Sequence, residues 1–168
     1  MKTSEKTKEV VCSIERAIDT IGDSWSLLIM RDLGQGLSHF DEFQKNLGIA
    51  PGVLSKRLTG LVAGRLVEKV IYQTNPPRAK YVLTEGGRDF LPVLAALMVW
   101  GNKYCSPKGV DTELVDSKTH KKISPALVDV RTGKNIDFSQ TVYVGGPANS
   151  PKKAKYLTDK GLPLMPVK

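Results

Sequence analysis

The stretch NLGIAPGVLSKRLTGLVAGRLVEK, residues 46–69, constrains the fold of this chain more than any other segment. Gly48 breaks a short helix, and Pro51 suits the first turn of the next one because no backbone N–H is required there. Two helices joined by the tight turn LGIA form the helix-turn-helix pattern. One side of the second helix is apolar at helical spacing, through Leu54, Leu58, Leu61 and Val62. The pattern predicts a helix that packs through one face and leaves the other free.

The free face of this helix is small, polar and basic. At about 100° per residue, Ser55, Lys56 and Thr59 fall on or near it, and Arg57 falls on a flank. Small polar residues let a helix backbone approach a DNA groove closely, while Lys and Arg meet the phosphates. We therefore predict a recognition helix with double-stranded DNA as its partner, contacted by Pro51, Gly52, Ser55, Lys56, Arg57 and Thr59.

A β-hairpin is predicted directly after this helix. LVEKVIYQ and AKYVLT read as two strands, and TNPPR reads as the turn between them. We place the proline pair in the loop because proline cannot donate ladder hydrogen bonds. A hairpin in this position is a wing, from which Arg78 and Lys80 are predicted to contact phosphates or the minor groove.

The distribution of charge also favours an anionic partner. The chain has a net charge of +8 and an isoelectric point of about 9.5. Between Lys45 and Lys80 the only acid is Glu68, against seven bases: Lys45, Lys56, Arg57, Arg65, Lys69, Arg78 and Lys80. A run of charge is usually a solvated face. Residues 9–42, however, carry seven acids and only two bases, and this segregation favours a polyanion-binding surface.

Helical spacing predicts three shorter helices before the recognition helix. The first is CSIERAIDTIG, and the second, DSWSLLIMRDLGQG, has Ser24 as its predicted N-cap and places Trp25, Leu28, Ile29 and Leu33 toward a core. The third, SHFDEFQKNLG, begins at Ser38 and is expected to bury Phe40, Phe43 and Leu47. Together with the wing they complete a small domain.

A single long helix is predicted from the cap at Thr84 to Cys105. Its sequence, EGGRDFLPVLAALMVWGNKYC, carries more apolar surface than a small winged domain can cover. Such a surplus favours a homodimer interface. The residues assigned to this interface are Phe90, Leu94, Leu97, Met98 and Trp100.

The segment after residue 110 contains an internal repeat with an offset of thirteen residues. LVDSKTHKKI begins at Leu114 and LVDVRTGKNI at Leu127, and each predicts a strand-turn-strand unit. Zinc needs thiolate or imidazole ligands, and the lone His120 does not supply them. We expect a metal-free β appendage over residues 111–147 and a loosely ordered tail over 148–168.

Other classes of function have little support in the sequence. No apolar run is long enough for a membrane span, and the N-terminus lacks the apolar stretch of a signal peptide, so we expect a cytoplasmic protein with no membrane partner. No Ser/His/Asp or Cys/His arrangement is visible and no glycine-rich loop is followed by lysine and a helix. We therefore expect no catalytic residues, no metal and no cofactor.

The chain strongly resembles the HxlR-type winged helix-turn-helix regulators of bacteria. The matching stretches are CSIERAIDTIGDSWSLLIMRDL, GLSHFDEFQKNLGIAPGVLSKRLTGLVAGRLVEK and YQTNPPRAKYVLTEGGRDFLPVLAALMVWG, which run in order over about residues 12–101. The resemblance implies a homodimer that binds a roughly palindromic operator near a promoter, with no catalysis.

The resemblance also places Cys12 where thiol-sensing members of the family keep their reactive cysteine. Cys105 is the only other cysteine, and it could meet Cys12 of a second copy. The alternative is that both are small apolar residues, as free cysteines usually are. A small molecule or an oxidant is thus the expected class of effector.

The predicted fold is mainly α with a small β-wing, an α+β winged helix-turn-helix that dimerises through the long helix. The predicted parts are a flexible arm (1–11), a DNA-binding and dimerisation domain (12–107), the appendage (111–147) and the tail. Two other classes of function are the alternatives: a winged-helix protein-interaction module without DNA readout, and a small-molecule enzyme. MarR-type regulators share the winged fold but have a longer helical frame at both ends.

Overall fold

The computed structural model describes residues 13–144 and 162–163, so Cys12 and the predicted N-terminal arm lie outside the described residues. The helices are α1 (Ser13–Ile21), α2 (Ser24–Gly34), α3 (Phe40–Leu47), α4 (Pro51–Ala63), α5 (Glu85–Asp89) and α6 (Leu91–Tyr104). The strands are β1 (Val67–Thr74), β2 (Pro77–Leu83), β3 (Val128–Asp129), β4 (Lys134–Asn135), β5 (Val142–Tyr143) and β6 (Leu162–Pro163). A short 3₁₀ helix covers Phe138–Gln140.

The chain divides into two compact units. One unit comprises residues 17–125, and the described residues of the other are 13–16, 126–144 and 162–163. The division differs from the predicted boundary near residue 108, because the first copy of the repeat belongs to the larger unit. Asn102 of α6 donates a hydrogen bond to the Thr112 carbonyl at 2.7 Å, and Ser106 Oγ donates one to Asp111 at 2.9 Å. These bonds tie the segment after α6 to the helix.

The core of the larger unit lies where α2 and α4 meet, beside α3 and the first strand. Its buried apolar residues are Ile29, Met30, Leu33, Phe43, Ile49, Leu54, Leu58, Leu61 and Val67. The apolar spacing of α2 and α4 accounts for most of this core. Trp25, Phe40 and Leu47 are partly buried against it, and Val62, predicted to line the apolar face, is 37% exposed.

The N-caps of α2 and α3 lie one residue away from the expected serines. Asp23, not Ser24, caps α2, and its carboxylate accepts a hydrogen bond from the Ser26 backbone N–H at 3.2 Å. At α3 the N-cap is His39, not Ser38. A carboxylate that reaches back from the first turn of a helix can satisfy the free N–H groups as well as a serine at the cap. At α2 a carboxylate thus replaces the expected hydroxyl as the cap, whereas at α3 the cap is a histidine and the carboxylate of Glu42 accepts the backbone hydrogen bonds.

The predicted long helix is two helices. α5 ends at Asp89, and α6 begins at Leu91 with Pro92 in its first turn. Proline has no backbone N–H and cannot continue the hydrogen-bond ladder of a preceding helix, so the chain restarts there. α5 packs closely on the chain before β1, because a Cβ at Gly87 would overlap the carbonyl oxygen of Leu66.

β1 and β2 form the predicted antiparallel hairpin. Their register runs from Val67 opposite Leu83 to Thr74 opposite Pro77, with an irregularity between Ile71 and Gln73. Pro77 was expected in the loop but is the first residue of β2. The first residue of a strand is one of the places where a sheet tolerates proline.

The internal repeat folds as two similar turns, which we call the first knuckle (residues 114–123) and the second knuckle (127–136). In the first, Ile123 N–H donates to the Leu114 carbonyl at 2.8 Å; in the second, Ile136 N–H donates to the Leu127 carbonyl at 2.9 Å. A positive φ occurs at the matching positions His120 (54°) and Gly133 (69°). The offset of thirteen residues therefore relates equivalent backbone positions.

An aspartate closes each knuckle. Asp116 accepts hydrogen bonds from the Thr119 N–H at 2.7 Å and the Thr119 hydroxyl at 2.8 Å, and these bonds hold the pKa of its carboxyl below the usual value. Asp129 accepts from the Arg131 N–H at 3.0 Å. Hydrogen bonds from the chain thus shape the turns.

The smaller unit also contains a third strand pair. β5 pairs antiparallel with β6, with Val142 opposite Pro163 and Tyr143 opposite Leu162. Residues 162–163 therefore form a strand within the segment predicted to be loosely ordered; the rest of that segment lies outside the described residues. In the described part of the chain, no helix is long and apolar enough to cross a membrane.

Candidate nucleic-acid interface

α4 has two contrasting faces, as its sequence predicts. Leu54, Leu58 and Leu61 are each at most 1% exposed and hold the helix to the core. Gly52, Ser55, Lys56 and Thr59 are exposed, and so is Pro51 at the first position of the helix. We call Gly52, Ser55, Lys56 and Thr59 the outer face of α4.

The turn before α4 fixes where this helix begins. Gly48 has a φ of 62°, in the left-handed region, and its N–H donates to the Gln44 carbonyl at 3.0 Å to end α3. Glycine adopts this conformation without the steric penalty of a Cβ. Ile49 then inserts into the core at 3% exposure. The turn therefore sets the entry of α4 through one glycine and one buried side chain.

The outer face offers groups that suit a DNA groove. The Thr59 hydroxyl donates to the Ser55 carbonyl at 2.9 Å, so its proton is used within the helix. The methyl group and the oxygen lone pairs of Thr59 remain available to a ligand. A methyl group can contact the thymine methyl, and a lysine can donate to guanine. A Cβ at Gly52 would meet nothing within 4 Å, so the packing of this unit does not require glycine there.

Arg57 does not share the outer face. Its side chain is 31% exposed, and its guanidinium lies 2.5 Å from a carboxylate oxygen of Asp23, the N-cap residue of α2. Arg57 thus lies on the flank of α4, as the sequence predicts, and there it forms an ion pair within the unit. Sequence spacing alone could not reveal this partner, which lies in another helix.

The wing carries basic side chains on both of its strands. Arg78 is exposed opposite Gln73, one pair from the end of the hairpin, while Lys80 is half-buried opposite Val70. Lys69 on β1 is also exposed, although it was not assigned to the interface from the sequence. The hairpin therefore carries three basic side chains, with Arg78 nearest its tip.

The wing is attached to the N-terminus of α3. The Tyr81 N–H donates to the Ser38 carbonyl at 2.7 Å, and the Tyr72 and His39 rings meet edge to face with their centroids 5.7 Å apart. Burial raises the pKa of the Tyr81 phenol. These contacts join the wing to the helix-turn-helix, and the sequence showed no signal for them.

Glu42 organises the same corner. Its carboxylate accepts hydrogen bonds from the Ser38 N–H at 2.7 Å and the His39 N–H at 2.8 Å. These backbone hydrogen bonds hold the pKa of Glu42 below its ordinary value. Donors that would be left free at the start of α3 are satisfied in this way, as in a capping box.

The residues predicted to form a dimer interface fall into two groups. Leu97 and Trp100 on α6 are 49% and 55% exposed. Phe90 and Leu94 are partly buried against the core of their own unit, and Met98 lines a cleft beside α6. Val93 and Tyr104 on α6 are exposed as well and were not assigned.

The cleft has a volume of about 240 Å³ and lies between α6 and the first knuckle. Its lining is mostly apolar and includes Met98, Val99, Val110, Leu114 and Ile123. Lys122 and Glu113, which also line it, form an ion pair with each other. The cleft is wholly within the larger unit.

Cys105 is an exposed free thiol just after α6. The other cysteine of the chain, Cys12, precedes the first described residue. Within residues 13–144 and 162–163, no group of three or more His, Cys, Asp or Glu side chains is arranged to hold a metal ion.

Residues 20–109 match the HxlR-like helix-turn-helix family, which is more than half of the chain. A helix-turn-helix transcriptional regulator of Mycobacterium tuberculosis, itself uncharacterised, is 34% identical over 143 residues, covering 84% of this chain and 90% of the relative. Similarity to that relative therefore extends well beyond the segment that matches the family.

Two solved structures are similar in both sequence and fold. PA1607, described as a proposed transcription factor, superposes with a TM-score of 0.72 at 33% identity, covering 80% of this chain and 94% of PA1607. The redox regulator HypR in its reduced form has a TM-score of 0.52 at 29% identity, covering 55% of this chain and 92% of HypR. The winged helix-turn-helix predicted from the sequence is confirmed.

Proposed function

The chain belongs to the HxlR-like helix-turn-helix family, whose relatives are transcriptional regulators, and we propose that it binds a roughly palindromic operator as a homodimer. The observation that carries the proposal is the exposed, small and basic outer face of α4, beside a wing with an exposed arginine. Helices of this kind enter the major groove of DNA and read base edges there.

Within this proposal the outer face of α4 reads sequence and the wing holds the backbone. Ser55, Lys56 and Thr59 contact bases or the adjacent phosphates, and Pro51 and Gly52 let the start of α4 approach the groove closely. Arg78 and Lys80 contact phosphates or the minor groove. Contacts to phosphate fix the register of a protein on DNA, and contacts to base edges supply discrimination.

The homodimer is supported by the exposed apolar side chains of α6, particularly Leu97 and Trp100. If a second copy covers this surface symmetrically, a two-fold axis relates the two α4 helices. Two-fold symmetry then requires a spacing of about 34–36 Å, one turn of B-DNA, or a multiple of it.

In vitro selection from a random DNA library tests the proposed function. We expect purified protein to enrich a sequence with inverted repeats and to bind it roughly a thousandfold or more tightly than a scrambled duplex at physiological salt. Failure to enrich any sequence, with equal affinity for both duplexes, contradicts sequence-specific regulation. That result would favour the protein-interaction module instead.

Oxidant is the effector class to test first, since HypR is a redox regulator and Cys105 is an exposed thiol. We expect mild oxidation to change the affinity for the selected operator in the wild type and not in Cys12→Ser. Cys105→Ser measures whether the second thiol takes part. An operator affinity that is unchanged by oxidation contradicts the redox response and leaves the DNA-binding proposal intact.

A further inference from the structure

The Asp23–Arg57 ion pair joins the recognition helix to the helix behind it. The Arg57 guanidinium nitrogen and the Asp23 Oδ2 atom are 2.5 Å apart, and both side chains are 31% exposed. Arg57 lies between Lys56 and Leu58 in the sequence, so it sits at the border between the outer face and the buried face of α4. An arginine in this position has two competing partners, a DNA phosphate and Asp23.

The contacts of Asp23 show how firmly it is held. Its Oδ1 atom accepts hydrogen bonds from the Ser26 backbone N–H at 3.2 Å and from the Ser26 hydroxyl at 3.3 Å. Ser26 is only 2% exposed. One carboxylate thus caps α2 through one oxygen and holds α4 through the other, and the packing of α2 fixes its position.

The ion pair with Asp23 is what disfavours release of the Arg57 side chain. Its Nε atom is buried and has no hydrogen-bond partner among the described residues. An unpaired buried donor costs free energy, so the contact of the outer end of the guanidinium with Asp23 has to hold the side chain in this position. Moving that end to a phosphate would leave the Asp23 carboxylate without its cation.

We propose that Arg57 is a positioning residue that does not bind phosphate, and that the Asp23–Arg57 pair sets the orientation of α4 relative to α2. The inference rests on the proposed function, because the orientation matters through the bases that α4 reads. Base contacts depend on small displacements of a helix, whereas nonspecific attraction to phosphates does not. The pair therefore contributes to discrimination between DNA sequences and little to general affinity.

The test compares Asp23→Ser, Arg57→Gln and the double variant in binding to the selected operator and to a scrambled duplex across a salt series. Serine is a good N-cap, so Asp23→Ser keeps the cap of α2 and removes only the partner of Arg57. Asp23→Asn, which retains the shape of aspartate, serves as the second variant if Asp23→Ser does not fold. Lys122→Gln, which removes the cation of another ion pair in the unit, is the matched control.

A positioning role predicts that each single variant weakens operator binding by about fivefold and that the double variant is no worse than either one. The salt slope and the affinity for the scrambled duplex stay at wild-type values. A phosphate contact predicts the opposite pattern: Arg57→Gln loses about one unit of salt slope, and Asp23→Ser binds DNA more tightly because Arg57 is freed. That pattern overturns the inference. So does a double variant whose loss of operator affinity, as a free energy, equals the sum of the two single losses.

The same measurements separate this inference from the proposed function. If the wild-type protein does not distinguish the operator from the scrambled duplex, the proposed function is wrong, and the positioning role falls with it. If the wild type discriminates and the variants follow the phosphate pattern, only the positioning role is wrong.

Discussion

Lys56 and Arg57 are adjacent cations on α4 whose side chains leave the helix about 100° apart. That rotation places Lys56 on the exposed outer face and Arg57 against Asp23. A charge count over this segment treats the two alike, although Arg57 already has a partner in Asp23. The partner of a basic side chain therefore decides its role more than its presence in a basic stretch.

Lys56→Ala tests base reading at a single position. If Lys56 donates to a base, its removal costs about 1–3 kcal/mol on the operator and much less on a scrambled duplex. Fluorescence anisotropy with both duplexes measures the difference. Lys108→Ala, at an exposed lysine after α6, controls for the loss of one positive charge. Equal losses on the two duplexes would assign Lys56 to a phosphate.

Arg78→Ala is expected to weaken operator and scrambled DNA by the same factor. A single phosphate contact contributes about 0.9 to the slope of log affinity against log salt, and the variant should lose that amount. Affinities at four or more salt concentrations give the slope. Lys118→Ala, in the turn of the first knuckle, should leave the slope unchanged. A loss confined to the operator would mean that the wing reads bases or groove shape.

At the scale of elements, α3 and the wing are held together by contacts that the sequence pattern does not show. Helical spacing predicts the burial of Phe43, and two strand-like runs on either side of TNPPR predict the hairpin, because both follow from local sequence. The Tyr81–Ser38 hydrogen bond and the Tyr72–His39 contact depend on tertiary packing. The cap of α2 lies one residue from the expected serine because Asp and Ser are equally good caps. The cap of α3 is also shifted by one residue, because the Glu42 carboxylate satisfies the N–H groups of Ser38 and His39.

The carboxylate of Glu42 makes the start of α3 sensitive to acid. Its folded pKa lies below the ordinary 4.5, so its stabilisation is complete above pH 4.5 and is lost as the pH falls through the lowered pKa. We expect Glu42→Gln to lower Tm at neutral pH and the difference from the wild type to vanish in acid.

Thermal unfolding followed by circular dichroism from neutral pH to below pH 4.5 measures this effect on Glu42. Asp41→Asn removes a neighbouring charge from the same helical turn and should change Tm less at neutral pH. A Tm difference for Glu42→Gln that is constant with pH would mean that the hydrogen bonds to Ser38 and His39 do not lower the pKa of Glu42.

For the whole molecule, the sequence predicted the fold class and the recognition helix but not which part of α6 faces outward. Leu94 lies in α6 and Phe90 directly before it, and only the packing of α6 on α2 shows that both contribute to the core of their own unit. Close approach is visible at Gly34, where a Cβ would lie 2.8 Å from a Leu91 methyl carbon. Such close approaches depend on tertiary packing and cannot be predicted from the spacing of apolar residues.

Leu97→Lys tests the dimer without disturbing the core of the unit, because Leu97 is 49% exposed. We expect the wild type to sediment at about twice the 18.4 kDa chain mass at micromolar concentration and the variant to sediment as a monomer that binds the operator poorly. Val130→Lys, at a position that is 94% exposed, is the control and should remain dimeric. A wild-type monomer at that concentration counts against the interface.

Sequence readout by the outer face of α4 is tested most directly with the triple variant Ser55→Ala, Lys56→Ala and Thr59→Ala. The measurement is the ratio of affinities for the selected operator and a scrambled duplex at fixed salt, with Lys108→Ala as a control for the lost charge. We predict that the wild type and the control discriminate strongly and that the triple variant binds both duplexes with nearly equal affinity. A triple variant that keeps both the operator affinity and the discrimination of the wild type would show that this face does not read DNA.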